Sequence, residues 1–356
     1  MFEPMKIESR SGFYEVLFEP NLFETLGGIE EGEKHFLVDS NIARLYSKPL
    51  SSVLCKPTTL IIEATEENKT IGRLIPVIEN LVANRFRRGD LLIAIGGGII
   101  QDITCFIAST LLRGVDWSFV PTTLLAQADS CIGSKSSINL TSVKNILGTF
   151  HPPKKIWIYP DFLNTLEIKD IQSGIGEIIK VHAIAGQSAF DCLKNDFTSL
   201  MEDQNILLGY ISEALKIKQK YIEVDEFDKG VRNIFNYGHS FGHAIEVATN
   251  FGIPHGVAVT IGMDMANHIA VMRGLLSKAH FERMHVVLER NYRNFNDIPI
   301  PLEIMLEALL KDKKNTSTEL GLILAVGESS EIQRVGVAPD EHFRIQCKNY
   351  LKSLKE

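Results

Sequence analysis

The segment LLIAIGGGIIQDITCFIAS, residues 91–109, joins an apolar run to three glycines and then to a stretch with helical apolar spacing. The run LLIAI is typical of a buried strand, and the residues after Gly98 are typical of a helix. Glycines at a strand-to-helix turn let the backbone approach a phosphate closely, and the helix N-terminus adds N–H donors and a partial positive charge. The spacing is not the GxGxxG dinucleotide fingerprint. The segment therefore predicts a phosphate-binding turn in an α/β domain, with a tight structural turn as the alternative.

The sequence around this segment alternates between strand-like and helix-like stretches. Short apolar runs occur at 35–40, 59–64 and 117–123, and a helix-compatible stretch lies at 70–86. Such alternation predicts a mostly parallel sheet that is covered by helices.

The pattern changes near residue 165, after a stretch that contains three prolines. Beyond it, apolar residues recur at helical spacing in the segments 172–186, 200–224, 238–249, 256–273 and 302–311. A short, less regular stretch follows at 320–329. We therefore expect an α/β domain over residues 1–165 and a helical domain over residues 166–356.

Composition narrows the class of protein. The 356 residues are 45% hydrophobic and 23% charged, which is typical of about two globular domains. The net charge of −7 argues against a broad surface for nucleic acid or an anionic membrane. Five scattered cysteines without a C-x-x-C pair fit a reducing compartment. With no signal peptide and no apolar segment of about 18 residues, we expect a cytoplasmic protein without nucleic-acid or membrane partners.

The segment PTTLLAQADSCIGSKSSINLTSVKN, residues 121–145, is rich in hydroxyl groups and small residues. Lys135, Lys144 and Asn145 lie within it. Such a loop offers many donors and two cations to phosphate or carboxylate oxygens. The alternative is a solvated polar loop.

Histidines and a carboxylate in the second half are typical of a metal site. His239 and His243 are four residues apart and share a helix face, and His255 follows after a turn. Glu177 and Lys180 lie on an otherwise apolar helix, where an exposed ion pair is the alternative. A carboxylate with two or three histidines is a Zn²⁺-type ligand set. Spacing alone favours His239 and His243 as the ligand pair, and satisfied core histidines remain the alternative.

Taken in order, these motifs resemble those of the 3-dehydroquinate synthases and related sugar phosphate cyclases. The resemblance runs from about residue 39 to residue 315. GGG-x-x-x-D matches Gly96 to Asp102, RG-x-x-x-x-x-PTTLLAQ-x-DS matches Arg113 to Ser130, and E-x-x-K matches Glu177 and Lys180. The long motif DE-x-x-x-G-x-R-x-x-x-N-x-GH-x-x-GHA-x-E matches Asp225 to Glu246, HG-x-x-V matches His255 to Val259, and D-K-K matches Asp312 to Lys314.

The resemblance implies a Rossmann-like NAD-binding domain, a helical metal- and substrate-binding domain, and a zinc site in the cleft between them. By position, the metal ligands are Glu177, His239 and His255, and His243 faces the substrate instead. Residues implied to bind substrate oxygens are Lys135, Asn145, Lys180, Lys218, Arg232, Asn236 and Lys313. Arg113 is implied to reach the phosphate of a neighbouring subunit, hence a homodimer. Residues implied to contact NAD are Asp39, Glu66, Lys69, Gly97, Gly98, Asp102, Thr122, Thr123, Asp129, Lys144, Thr165 and Leu166.

The implied reaction is a redox-assisted cyclisation. NAD⁺ takes a hydride from a ring carbinol while Zn²⁺ or Co²⁺ acts as a Lewis acid, and phosphate is eliminated. The hydride then returns, the sugar ring opens, and an internal aldol step closes the carbocycle. Arg232 and Asn236 suit a substrate carboxylate. They favour 3-deoxy-arabino-heptulosonate 7-phosphate, converted to 3-dehydroquinate, over sedoheptulose 7-phosphate or another sugar acid phosphate.

Several positions depart from the family pattern, and they bear on the substrate. Gln101 and Thr65 stand in place of glycines, Cys105 replaces another small residue, and Asp228 replaces a glutamate. The usual GGKTG-x-N reads GSKSSIN, which introduces Ser134, Ser136 and Ser137.

Two other classes of protein share parts of this pattern. Metal-dependent alcohol and glycerol dehydrogenases pair a glycine triplet with histidines but need no set of phosphate-binding lysines. A binding protein without activity would have little reason to keep Glu177, His239 and His255, because buried ionisable groups are costly.

Overall fold

The structure is a computed structural model that describes residues 2–29, 33–140, 143–312 and 315–354. It divides into two compact units. The first is Met1–Leu166 with Gln219–Phe227, and the second is Glu167–Lys218 with Asp228–Glu356. The sequence pattern predicts one division near residue 165 and gives no sign that Gln219–Phe227 belongs to the first unit.

The first unit is an α/β structure. Its strands are β1 (Met5–Ser9), β2 (Gly12–Phe18), β3 (Lys34–Asp39), β4 (Thr59–Ile62), β5 (Leu91–Gly96), β6 (Trp117–Pro121), β7 (Ile138–Leu140), β8 (Val143–Leu147) and β9 (Lys155–Ile158). Its helices are α1 (Leu22–Gly28), α2 (Ser40–Leu45), α3 (Ser51–Leu54), α4 (Ile71–Ala83) and α5 (Gly98–Thr110). The strands predicted at 35–40, 59–64, 91–98 and 117–123 are confirmed as β3 to β6.

The main sheet has the strand order β1-β2-β9-β6-β5-β3-β4. Within the described residues, β1 pairs antiparallel with β2 and every other neighbouring pair is parallel, which confirms the predicted sheet type. All six residues of β5 are buried, as expected for a strand covered on both faces.

The strand order reverses at β3, which lies between β4 and β5. The chain leaves β3 towards β4 on one side and returns to β5 on the other. In open parallel sheets, the crevice outside the carboxyl ends of such strands is the usual ligand site. Asp39 ends β3 and Gly96 ends β5, so both lie at this switch point.

The second unit is helical, as predicted. It contains α6 (Ile168–Ala185), α7 (Gln187–Glu202), most of α8 (Gln204–Val224), α9 (His239–Ala248), α10 (His255–Met272), α11 (Lys278–Tyr292), α12 (Leu302–Leu310) and α13 (Glu341–Ser353). Helix α10 is buried along most of its length and packs against α6, α9, α11 and α13. No helix in the described ranges is apolar over a length that would cross a membrane.

One feature of this unit differs from the predicted all-helical pattern. Residues Leu320–Val326 and Glu331–Val337 form an antiparallel hairpin, β10 and β11. The sequence analysis leaves 320–329 as a short irregular stretch, because a wholly apolar run of seven residues shows neither helical nor alternating period. The hairpin packs on α10 through β10.

Candidate metal and cofactor sites

Two glycines allow helices α6 and α10 to touch through their backbones. A Cβ atom on Gly176 would lie 2.1 Å from the carbonyl oxygen of Gly256, and one on Gly256 would lie 1.8 Å from that of Ser173. No side chain larger than hydrogen fits at such distances. The Gly256 N–H also donates to the Ser173 hydroxyl at 2.9 Å. The next residue after Gly176 is Glu177, and the residue before Gly256 is His255, so this contact brings the two side chains together.

A third glycine fixes the start of α9 against α10. Gly238 has φ +77°, in the left-handed region that favours glycine, and a Cβ atom there would lie 2.5 Å from the carbonyl oxygen of Val259. His239 follows it directly as the first residue of α9. His243 comes one helical turn later, as the spacing predicts.

The three histidines form one cluster, with candidate ligand atoms all within 4.8 Å of one another. The Glu177 carboxylate joins the cluster, with Oε1 lying 3.5 Å from His255 Nε2 and 3.8 Å from His239 Nε2. Two ligand atoms about 2.1 Å from a tetrahedral Zn²⁺ lie roughly 3.4 Å apart. The donor types and spacing therefore fit a divalent metal, and the structure brings together all four residues that the sequence analysis selected.

The surroundings of His239 and His255 shift their pKa values in opposite directions. Burial, together with the charge of Lys180 and the neighbouring imidazoles, lowers the pKa of His239 well below its usual value, so its ring is neutral. Burial also acts to lower the pKa of His255, but the hydrogen bond and charge of Glu246 and the charge of Glu177 outweigh it and the pKa is raised. The Nδ1 atom of each ring lies near an oxygen. Glu246 Oε2 is 3.1 Å from His255 Nδ1, and the Tyr237 carbonyl oxygen is 3.3 Å from His239 Nδ1. Such outer partners orient metal-ligating histidines.

Three cations of the second unit are buried, namely Lys180, Lys218 and Arg232. The Lys180 ammonium donates a hydrogen bond to Glu177 Oε2 and lies 5.7 Å from the centre of the Phe235 ring. The alternative that Glu177 and Lys180 form an exposed ion pair is wrong, since their side chains are 1% and 2% exposed.

The turn Val231–Asn236 packs against α6. Arg232 and Asn236 both belong to this turn, and the Asn236 side chain donates to the Asn233 carbonyl at 3.0 Å. His243 is exposed. Lys313 lies outside the described residues. Asp312, just before it, accepts from the Ser240 hydroxyl at 3.1 Å.

In the first unit, the glycine triplet forms the predicted turn between β5 and α5. Gly97 precedes the first turn of α5, which begins at Gly98. A Cβ atom on Gly97 would lie 3.0 Å from a methyl of Thr123, whereas one on Gly98 would meet nothing closer than the Ser130 hydroxyl at 4.0 Å. The Thr122 N–H donates to the Gly96 carbonyl at 3.0 Å. Thr122 and Thr123 thus lie against the turn, and the helix N-terminus suits an anionic phosphate.

Four predicted residues of the first unit meet in one polar network. The Lys69 ammonium donates to Asp102 Oδ2 and to Asn145 Oδ1, each at 3.1 Å, and lies 3.5 Å from Glu66 Oε1. Asp102 also accepts from the Ser137 N–H at 2.8 Å. Burial raises the pKa of Asp102 to about 6, although the Lys69 charge acts in the opposite direction.

The other predicted residues of the first unit are more dispersed. The Asp39 carboxylate accepts from the Asn41 N–H at 2.9 Å and caps the N-terminus of α2. Thr165 contacts the Tyr46 hydroxyl at 3.1 Å, and Leu166 follows it. Lys135 and Lys144 are exposed, and Asp129 lies in the turn 126–130. Arg113 is exposed in the turn that follows α5.

Three of the departures from the family pattern have clear structural consequences. Gln101 forms a reciprocal pair with Ser130, donating to its carbonyl at 2.6 Å and accepting from its hydroxyl at 2.7 Å. Ser134, in place of glycine, is buried with φ +57°, a conformation unfavourable for a residue with a Cβ atom. The Cys105 thiol lies 3.2 Å from the His151 carbonyl, and burial raises its pKa to about 12.

The sequence analysis missed two residues that support the candidate sites. Glu246 contacts His255, and Asn139 bonds Glu66 and Asn145. Glu246 follows His243 by three residues on α9, so helical spacing alone was a usable signal. Asn139 ends the segment GSKSSIN, which matches the family motif, but that motif does not show that Asn139 bonds Glu66, 73 residues away in sequence.

Comparison with known proteins covers nearly the whole chain. Family models described as 3-dehydroquinate synthase N-terminal and C-terminal match residues 59–173 and 174–315. A 3-dehydroquinate synthase from Thermoanaerobacter sp. (strain X514) is 32% identical over 350 residues, which is 95% of this chain and 98% of that protein.

Two solved structures have a similar fold. One is 2-deoxy-scyllo-inosose synthase complexed with carbaglucose-6-phosphate, NAD⁺ and Co²⁺, with a TM-score of 0.82, 23% identity, and coverage of 98% of this chain and 100% of that one. The other is 2-epi-5-epi-valiolone synthase from Streptomyces hygroscopicus subsp. jinggangensis 5008 with NAD⁺ and Zn²⁺ bound, with a TM-score of 0.81, 25% identity, and coverage of 99% of each chain.

Proposed function

Because the chain belongs to the 3-dehydroquinate synthase family, we propose that it converts 3-deoxy-arabino-heptulosonate 7-phosphate to 3-dehydroquinate and phosphate, with NAD and a divalent metal. The observation that carries the proposal is that one unit holds both a carboxylate–histidine cluster and three buried cations, Lys180, Lys218 and Arg232. Lysine and arginine side chains suit a substrate that carries a phosphate and a carboxylate. An alcohol dehydrogenase has no such need.

For the metal we propose Glu177, His239 and His255 as ligands. The distances from Glu177 Oε1 to the two Nε2 atoms, 3.5 and 3.8 Å, are close to the spacing of tetrahedral Zn²⁺ ligands. His239 and His255 each have an oxygen near Nδ1, whereas His243 is exposed and, by the family resemblance, would face substrate. This choice follows the family resemblance and departs from the spacing argument, which favours His239 with His243.

For NAD we propose the switch point of the sheet, with the phosphates at the N-terminus of α5. Gly97 and Gly98 leave the space that side chains would fill, and Asp39 and Glu66 supply carboxylates that accept from ribose hydroxyls. When bound, NAD would accept and return a hydride, and Zn²⁺ or Co²⁺ would act as a Lewis acid. The C–O bond to phosphate breaks by elimination, which makes the protein a carbon–oxygen lyase.

The chain's own side chains would hold the two charged ends of the substrate. Lys135, Asn145 and Lys313 would bind the phosphate, together with Arg113 of a second subunit, so that we propose a homodimer. Arg232, Lys218 and Asn236 would bind the carboxylate. Lys180 holds one oxygen of Glu177 and thereby fixes the other towards the histidines. All five cysteines lie in the described ranges as free thiols, in keeping with the cytoplasm as the proposed compartment.

The test compares two substrates with one variant. Purified protein with NAD⁺ and Zn²⁺ should release phosphate from the keto acid phosphate, and Arg232→Ala should abolish most of that activity. Losing one charge-assisted contact costs about 2–5 kcal/mol of binding. Release from sedoheptulose 7-phosphate but not from the keto acid would overturn the substrate assignment and leave a related cyclase.

A further inference from the structure

Asn139 lies where the hairpin of β7 and β8 meets the loop before α4. Its side chain is 3% exposed and both of its polar atoms are bonded. The amide nitrogen donates to Glu66 Oε2 at 2.9 Å and to the Glu66 carbonyl at 3.3 Å, and the amide oxygen accepts from the Asn145 N–H at 2.9 Å. We propose that Asn139 is a positioning residue that sets Glu66 for the cofactor and Asn145 for the substrate phosphate at the same time.

The first arm of this arrangement fixes the Glu66 carboxylate. Asn139 donates to Oε2, and the Lys69 ammonium lies 3.5 Å from Oε1. The Asn139 N–H also donates to the Lys69 carbonyl at 2.8 Å, which ties the hairpin to the loop that carries both partners. A carboxylate held on both oxygens still has lone pairs for hydroxyl donors, and its direction is set before a ligand arrives.

The second arm fixes the orientation of Asn145. Its backbone N–H is held by Asn139, and its side-chain oxygen accepts from Lys69 at 3.1 Å. An ammonium group has only donors, so the side-chain oxygen of Asn145 must face Lys69. The NH₂ group is therefore turned the other way, as a donor. Asn145 has φ +54°, which an asparagine tolerates better than most residues.

Asn139 thus connects a carboxylate suited to hydroxyl groups with an amide donor suited to an anion. The inference rests on the proposed function in one respect, that Glu66 meets NAD and Asn145 meets phosphate. The two arms use different atoms of Asn139, the nitrogen and the oxygen. A single substitution can therefore remove the hydrogen bonds of one arm and keep those of the other.

Two variants separate the arms. Asn139→Asp keeps an oxygen for the Asn145 N–H but places a second carboxylate against Glu66 Oε2, where the amide nitrogen now lies at 2.9 Å. Asn139→Ala removes both arms. Val143→Ala is the matched control, because Val143 lies in the same hairpin, is 50% exposed, and takes no part in the network.

Three measurements read the arms independently. Titration calorimetry gives the Kd for NAD⁺ and for inorganic phosphate, and amide hydrogen exchange follows the Asn145 N–H. We expect Asn139→Asp to weaken NAD⁺ binding by about tenfold or more, the effect of losing a hydrogen bond to a charged group. Phosphate affinity and Asn145 protection should stay as in wild type. Asn139→Ala should weaken both ligands and expose the Asn145 amide to exchange.

Two results would overturn the inference. One is that both variants match Val143→Ala in every measurement. The other is that both lose the two ligands equally while exchange rises throughout the first unit, which indicates a merely structural role. Failure of the wild-type protein to bind NAD⁺ would refute the proposed function instead, and the exchange of the Asn145 amide would still decide whether Asn139 holds it.

Discussion

The closest backbone contact in the second unit gives a sharp test of how the metal site is built. In Gly256→Ala, the added Cβ atom would lie 1.8 Å from the Ser173 carbonyl oxygen. An ordinary contact between carbon and oxygen is about 3.3 Å or more. Helices α6 and α10 must therefore separate by roughly 1.5 Å, because neither partner is a flexible side chain.

The expected cost is about 3 kcal/mol, at the upper end of the range for overpacked cores. At about 2–4 °C per kcal/mol, this lowers the midpoint of thermal unfolding by roughly 6–12 °C. The substitution should also disturb the metal site. Metal sites tolerate displacements of only about 0.2 Å in ligand distance, and His255 directly precedes Gly256. We therefore expect the affinity for Zn²⁺ to fall more than tenfold.

The matched control is Gly209→Ala in α8. A Cβ atom there meets nothing within 4 Å, and the position lies inside a helix. Alanine should raise the stability by about 0.5–1 kcal/mol. Circular dichroism on heating and competition with a zinc-binding dye measure both effects. If Gly256→Ala unfolds at the wild-type temperature and keeps its zinc affinity, the account of helix contact is refuted.

Three further predictions concern ligands, strain and pH. His255→Ala should lower metal affinity by more than the 10–100-fold typical of an outer-shell change, and His243→Ala should not, when metal content is measured after dialysis. The reverse order would restore the spacing argument. Ser134→Gly should stabilise the first unit by about 1 kcal/mol in chemical unfolding, because φ +57° is strained for serine. Burial lowers the pKa of His35 despite the charges of Asp90 and Glu33, so native His35 stays neutral below pH 6.5 while the unfolded chain takes up a proton. Stability is then lost as pH falls below 6.5, and His35→Leu should remove up to about 1.4 kcal/mol per pH unit of that loss in urea titrations at pH 5–7.

The fold follows from the sequence where period and burial agree. The run 91–95 is apolar throughout, is followed by three glycines, and forms most of a central buried strand as predicted. The helices that carry the histidines are predicted equally well by the helical spacing of their apolar residues. The hairpin at 320–337 is not, because its first strand is wholly apolar and its second is mostly exposed.

The candidate sites depend on contacts that no local pattern contains. Spacing predicts that His239 and His243 share a helix face, and they do. It says nothing of Glu177, which is brought within 3.5 Å of His255 Nε2 by the packing of α6 on α10. The family resemblance identifies Glu177 as a ligand. The glycines next to Glu177 and His255 explain how the packing of α6 on α10 brings the two side chains together. The resemblance includes Asn139 in a motif but gives it no role, because its contact with Glu66 depends on how two separate loops pack.

In the proposed reaction the redox step is internal, so that NAD is used and restored in each turnover. The most direct measurement follows phosphate release and absorbance at 340 nm together, with NAD⁺ well below the concentration of 3-deoxy-arabino-heptulosonate 7-phosphate. The account predicts many phosphates released per NAD⁺ and no net growth of NADH. NADH that accumulates in step with product, or activity that stops after one equivalent of NAD⁺, would contradict it.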